Sequence, residues 1–236
     1  MTNITVYGIA YNEEFQLPHF INFYRSRFKN CNIVIYDNYS TDNTVNIARD
    51  NDCEVVFFNT NNKLSDSAYL NIKNNCWKNA KTDWVCVVDI DECTEVNDLD
   101  LEKENYYGNT ILKFQGYNMV NLNDDLDINS IKHGVRDQNF DKSFIFNKKY
   151  VSNINYHPGC HTNNPDGILN YSKIQYKAYH FNFINLQMSL QKYKVYADRL
   201  SEENKKNGWG FHYLNNEKKI MEEFEFLRLN AIPVIT

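Results

Sequence analysis

Residues 4–10 form an unbroken apolar run, and Leu17, Phe20, Ile21, Tyr24 and Phe28 then recur at three- and four-residue spacing. The run has the character of a strand buried on both faces; the spacing marks one face of an amphipathic helix. The alternation continues. Residues 32–36 read as a strand, followed by a helix that reaches Asp50 from a cap at Ser40, Thr41 or Asp42. Residues 54–58 read as a strand, 65–80 as a helix and 83–89 as a fourth strand. Apolar strands separated by helices predict an α/β chain built on a parallel sheet. After Glu95 the pattern loosens. Strands are expected at 110–117, 142–147 and 174–181, and helices at 185–200 and 216–230. Residues 121–129 read as an acidic loop. Residues 153–170, with His157, Pro158, Gly159, His161, Pro165 and Gly167, read as a structured loop. No internal repeat or linker-like stretch interrupts the chain. One domain is therefore expected over residues 1–236, with a nucleotide-type half at 1–95, an acceptor-type half at 96–200 and a helical segment at 201–236.

Composition narrows the class. With 236 residues, 42% of them apolar, the chain can bury a core without staples. Eight glycines and four prolines are too few for a collagen-like or low-complexity chain. No apolar run approaches the ~18 residues of a membrane-spanning helix, and the N-terminus lacks the basic flank of a signal peptide. A net charge of −5 argues against nucleic acid as a partner. The cysteines, at 31, 53, 76, 86, 93 and 160, show neither a CxxC pair nor zinc spacing. They read as reduced thiols in a cytoplasmic protein. Sequons occur at Asn3, Asn38 and Asn170, and a glycan on Asn38 would block the strand end described next. Asparagine is in excess, 37 residues against 7 alanines, and is read mainly as genome bias rather than as a sugar-binding surface.

Open parallel sheets bind ligands beyond the carboxyl ends of their strands. Here those ends are Tyr11-Asn12-Glu13-Glu14, Asp37-Asn38-Tyr39-Ser40-Thr41-Asp42, Asn59-Thr60-Asn61-Asn62-Lys63 and Asp89-Ile90-Asp91-Glu92. Each follows an apolar strand with acidic or amide residues. Asp89 and Asp91, two apart, would repel one another unless a cation stood between them. A divalent metal such as Mg²⁺ or Mn²⁺, held by carboxylates and phosphate oxygens, answers that need.

These segments resemble the family-two-type glycosyltransferases of the GT-A fold. The likeness is strongest to a small subgroup with an aromatic-rich segment, here Leu17-Pro18-His19-Phe20, and a metal motif ending D-x-D-E. It is strong over residues 4–95 and loose over 110–185. The resemblance implies a Rossmann-like, mixed but mostly parallel sheet flanked by helices, with a helical C-terminal extension. It implies transfer of a sugar from a nucleotide sugar, UDP-linked by expectation, to a hydroxyl on a glycan or glycoconjugate, by one in-line inverting displacement. It further implies that Tyr11, Asn12 and Glu13 touch base and ribose, and that Asp37, Asn38 and Ser40 bind the base. Asp89 would contact ribose or metal, and Asp91 would ligate Mn²⁺ or Mg²⁺. His180 resembles a late histidine used as a further metal ligand, and Lys142 a basic residue that meets diphosphate. Glu92 either stands behind the metal or orients its loop. Lys63 follows strand three and meets phosphate or solvent, and Asp42 reads as a cap or turn former.

An acceptor hydroxyl is a weak nucleophile and needs a general base. Asp124, Asp125, Asp127, Asp137, Asp141 and Asp166 are the carboxylates available. Asp166, in a segment rich in titratable groups, is the choice, although Pro165-Asp166-Gly167 is also a turn signature. Trp209, between Gly208 and Gly210, reads as a lid over the acceptor or as a plug under the last helix. Two other functions fit parts of the pattern: a non-catalytic glycan- or nucleotide-binding module, and a haloacid-dehalogenase-type phosphohydrolase, whose D-x-D would open the chain.

Overall fold

The computed structural model describes residues 3–123 and 126–235. Four strands run parallel in the order β4-β1-β2-β3: β1 is Ile4–Ala10, β2 Cys31–Asp37, β3 Glu54–Phe57 and β4 Trp84–Asp89. Their alternate side chains feed two layers. Ile4, Val6, Ile33, Ile35, Cys86 and Val88 pack with Leu17, Phe20, Ile21 and Tyr24 of α1 (Leu17–Arg27). Tyr7, Val34, Val85 and Val87 pack on the opposite face with Trp77 and with Leu70 of α3 (Asp66–Asn75). Burial on both sides is what makes these strands apolar throughout. The short helix α2 (Thr44–Asp50) completes this half.

The other half extends the same sheet with mixed polarity. β8 (Ile145–Asn147) pairs antiparallel with β4. Beyond it come β6 (Ile111–Val120), β7 (His133–Arg136) and β12 (Ile232–Pro233). β11 (Tyr171–Phe183) lies parallel to β6 and antiparallel to β5 (Glu92–Thr94). β9 (Val151–Asn153) and β10 (Asp166–Gly167) form a separate pair. Helices α4 (Asp98–Tyr106), α5 (Leu186–Arg199), α6 (Glu202–Asn207) and α7 (Glu217–Asn230) complete the chain. The α/β class and the mixed, mostly parallel sheet flanked by helices are as expected. Among the described residues, no helix is long and apolar enough to cross a membrane.

The differences have local causes. The helix expected to reach residue 80 ends at Asn75, because Trp77 turns inward and sets its ring edge-on to Phe146 at 4.9 Å. α4 went unread because only Leu101 and Glu104 of its nine residues are buried, which leaves no periodicity. It is held instead by a capping box between Asn97 and Asp100. The strand expected at 142–147 pairs only from Ile145, since Lys142 turns its side chain to Glu92. Asp42 accepts from the Thr44 amide and is the turn former rather than the helix N-cap, which is Asn43.

Asparagine has structural uses. Asn12, Asn61, Asn62 and Asn155 adopt φ of 56°, 53°, 56° and 52°, and Asn97, Asn185 and Asn216 cap α4, α5 and α7 through their side chains.

Register sets the site. His180 of β11 lies opposite Glu92 of β5, and the Phe181 amide donates to the Asp91 carbonyl at 2.7 Å. The D-x-D-E turn is thereby pinned beside His180. Gly116 of β6 leaves room for Phe140, which stacks on the His180 ring at 4.1 Å. A Cβ at Gly116 would stand 2.2 Å from Phe140 Cβ. Gly116→Ala is therefore expected to cost about 1–3 kcal/mol, as overpacking does. A urea denaturation midpoint checks this.

Candidate active site

A cavity of about 530 Å³ opens at the carboxyl ends of β1 and β4. Tyr11, Glu13, Asp89, Asp91 and Glu92 line its sheet side; Asn118, Asp137, Lys142, His161 and His180 line the neighbouring wall. Lys192, Tyr193 and Tyr196 of α5 close it, together with the segment from Gly208 to Tyr213. Trp209 stands in that segment between two glycines of positive φ, 69° and 66°, so it belongs to the cavity wall.

The floor is a set of ion pairs. Lys73 Nζ lies 2.7 Å from Asp89 Oδ2, Lys192 Nζ 2.7 Å from Asp91 Oδ2, and Lys142 Nζ 2.5 Å from Glu92 Oε1. Burial alone would raise the Asp91 pKa, but Lys192 and His180 hold it well below the usual carboxylate range. Asp89 is likewise lowered: burial opposes the shift, and Lys73 with Lys142 outweighs it. Glu92 also accepts from the Asp89 amide at 3.0 Å, so of its two expected roles it takes the one that orients the loop.

Glu13 is the exception. Burial pushes its carboxyl up to about 8 against the opposing pull of Lys192, and Tyr196 Oη donates to it at 3.4 Å. The folded protein therefore keeps a proton that the unfolded chain gives up above its ordinary value near 4.5. Stability from this group is present at low pH and is lost as pH rises through about 8. Thermal midpoints measured across that window should decline, and Glu13→Gln should flatten the decline.

His180 has a defined orientation. Asn118 donates its amide to Asp137 Oδ2 at 2.8 Å, which turns its oxygen to His180 Nδ1 at 2.8 Å. Nδ1 therefore carries a proton, and Nε2 faces Asp91 Oδ2 at 3.4 Å, where a proton or a metal can stand between them. An imidazole nitrogen and a carboxylate oxygen facing each other, with tautomer fixed from behind, suit a divalent metal. Among the described residues no three His, Cys, Asp or Glu side chains gather into a fuller metal cluster. Such a metal would draw its remaining ligands from phosphate and water.

The cavity thus brings together Tyr11, Glu13, Asp89, Asp91, Lys142 and His180 of the residues singled out from the sequence. It does not include Asn12, Asp37, Asn38, Ser40, Lys63 or Asp166. Asp37 is fully buried and accepts from the amide and hydroxyl of Ser40. Asn38 is spent on Thr60, and Asn12 on Ser40 and Thr41. These four lock the ends of β1 and β2 to one another beside Tyr11. Lys63 is exposed outside the cavity, although Leu64 lines it. Asp166, expected as the base, sits exposed on β10 away from the cavity, and its carboxylate accepts from Asn155 at 2.9 Å. Asp141 pairs with Arg136, and Asp127 caps a short turn. Asp124 and Asp125 lie outside the described residues. Asp137 is the one described candidate base that lines the cavity. His157 bonds Thr162 and is not part of the wall.

Sequence reasoning missed Lys73, Asn118, Lys192 and Tyr196. Lys192, Tyr196 and Arg199 fall at i, i+4 and i+7 of a helix that was expected, a polar and aromatic stripe that should have marked a face turned inward.

Comparisons with known proteins place the chain. Among solved structures it is similar to a mannosyltransferase of Pyrobaculum calidifontis in complex with GDP-Man and Mn²⁺, at 18% identity and a TM-score of 0.36 over 48% of this chain and 35% of that one. It is similar to TarS of S. aureus at 16% identity and a TM-score of 0.45, over 94% of this chain and 43% of that one. A glucosyl-3-phosphoglycerate synthase of Mycobacterium tuberculosis, in complex with Mn²⁺, UDP and glucosyl-3-phosphoglycerate, matches at 17% and 0.35, over 50% of this chain and 44% of that one. The chain thus spans less than half the length of each of these three. Among curated proteins none matches. The family model described as glycosyl transferase family 2 matches residues 5–161, two thirds of the sequence, and to that family the chain belongs.

Proposed function

We propose that the protein transfers a sugar from a nucleoside-diphosphate sugar to a hydroxyl of a glycan or glycoconjugate, with inversion at the anomeric carbon. The observation that carries this reading is the line Asp91–His180–Asn118–Asp137, which runs along one cavity at the strand ends of a family 2 chain. Residues 1–95 supply the donor floor, and β6, β11 and the segment after β7 supply the acceptor wall of the same domain. In this reading a Mn²⁺ or Mg²⁺ ion is held by Asp91 and His180 with Asp89 nearby. Such an ion, when bound, neutralises charge on the departing diphosphate. The donor is taken as UDP-linked. The six cysteines are free, which favours a reducing compartment and supports a cytoplasmic enzyme.

The chain's own groups would act as follows. Asp137 takes the proton of the acceptor hydroxyl as that oxygen attacks the anomeric carbon, and the bond to the diphosphate oxygen breaks as the new one forms. Asn118 holds the Asp137 carboxylate in place. Asp137→Asn is expected to lower kcat by ~10²–10⁴, the scale of general-base catalysis, with nucleoside-diphosphate affinity within about twofold of wild type. Asp166→Asn should transfer normally. The reaction class is tested by a thermal-shift screen of UDP-, GDP- and dTDP-sugars with and without Mn²⁺, followed by transfer assays on the stabilising donors. A donor at ~100 times its Kd adds roughly 2.7 kcal/mol of stability. A full panel without any shift would sink the proposal.

A further inference from the structure

Helix α5 carries three side chains on one face, and each meets a different strand-end residue. Lys192 meets Asp91, Tyr196 meets Glu13, and Arg199 lies with Cζ 3.1 Å from the Tyr11 ring centroid. The three partners are the same residues that the cavity offers at the ends of β1 and β4. α5 is thus laid along the candidate donor site.

Two of these side chains are poorly provided for. Arg199 is 5% exposed, its Nε donates to the Asn62 carbonyl, and the Tyr11 ring and the Tyr69 side chain lie beside it, but neither Nη1 nor Nη2 has a well-aligned acceptor. A buried guanidinium with two idle nitrogens is costly unless an acceptor reaches it. Lys192 is paired, but its side chain is 21% exposed, against 5% for Lys73 and 4% for Lys142. Of the three lysines on the floor it is the one with room to leave its carboxylate. Three carboxylates and three ammonium groups cancel there, so a diphosphate gains a lysine only if that lysine leaves its partner, as Lys192 would if a metal took its place on Asp91.

We propose that α5 is a donor clamp in which Lys192 binds the diphosphate and Arg199 the nucleoside end of the nucleotide, exchanging the partners they hold in the free protein. This rests on the donor reading above. Seven residues at 1.5 Å rise set the backbones of Lys192 and Arg199 about 10 Å apart along the helix, the scale of a nucleotide from diphosphate to base. The clamp has a fixed end. The Leu64 amide donates to the Arg199 carbonyl at 2.6 Å, which ties the far end of α5 to the loop before α3, and Asn204 of α6 donates its side-chain amide to Asp66 of α3 at 2.8 Å. The glycines at 208 and 210, with positive φ, follow α6 in the cavity wall.

The test is calorimetry with UDP, GDP, uridine and guanosine in the presence of Mn²⁺, on wild type, Lys192→Met and Arg199→Gln. Lys192→Met should weaken the diphosphate at least ~10-fold and leave the nucleoside within about twofold, since only the diphosphate carries the charge it answers. Arg199→Gln should weaken both. An unchanged ratio of diphosphate to nucleoside affinity in Lys192→Met overturns the clamp. Should a variant fail to fold, hydrogen exchange on wild type decides: a bound diphosphate must slow exchange across residues 186–199, and unchanged exchange on binding overturns the clamp. A wild type that binds no nucleoside diphosphate at all overturns the donor reading, and the clamp with it.

Discussion

Asp91→Asn should abolish transfer, with kcat falling on the order of 10³-fold, the scale of removing one member of a preorganised electrostatic site. The substitution keeps shape and removes charge. Asp91 Oδ2 is where Lys192 and His180 converge, at 2.7 and 3.4 Å. Without its charge the floor carries an unbalanced lysine, and the carboxylate donor to a divalent metal is gone. Two readouts besides turnover separate this from loss of fold. Binding of Mn²⁺ in the presence of UDP, followed by electron paramagnetic resonance, should weaken sharply, while uridine affinity should hold. In addition, Asp91 is one of the groups that raise the Glu13 pKa, so the pH dependence of stability traced to Glu13 should move to lower pH in the variant. Normal transfer by Asp91→Asn would remove Asp91 from the site.

The second large effect is on stability. Lys142→Met should destabilise the fold by about 3–5 kcal/mol, the cost of stranding one partner of a buried pair. Lys142 and Glu92 are 4% and 6% exposed at the side chain and lie 2.5 Å apart, so neither charge can turn to water. The loss corresponds to a drop of roughly 6–20 °C in Tm for a chain of this size. Adding Glu92→Gln should restore much of it, because the amide needs no cation and its oxygen can still accept from the Asp89 amide. A double variant as unstable as Lys142→Met alone would mean that Lys142 acts through packing rather than charge.

The first half of the chain was legible in the sequence because burial on both faces writes itself into composition. β1 has all seven residues buried, and its limits were read to the residue. Asp89 and Asp91, marked by spacing, and His180, marked by resemblance, line the same cavity. Their partners were marked by neither. Lys73 and Lys192 lie 16 and 101 residues from the aspartates they neutralise, and no local pattern announces such a pairing. Asp37 and Asn38 lie outside that cavity, and their spacing could not show it. Acceptors at a strand end suit a ligand or the neighbouring loop equally well, and here Ser40 and Thr60 take them. The choice among carboxylates is illegible on the same ground: a turn aspartate and a cavity aspartate differ only in what tertiary structure places beside them, Asn153 and Asn155 for Asp166 and Asn118 for Asp137.

The asparagines that hold positive φ and cap helices bear on the unfolded chain as well as the folded one. Glycine in those turns would roam widely when unfolded and lose that freedom on folding. Asparagine tolerates the same left-handed geometry with fewer conformations to surrender. With only eight glycines in 236 residues, this protein enters folding with its bends already narrowed. Asn61→Gly and Asn62→Gly, harmless to every contact drawn above, should therefore lower stability by a few tenths of a kcal/mol through the denatured ensemble alone.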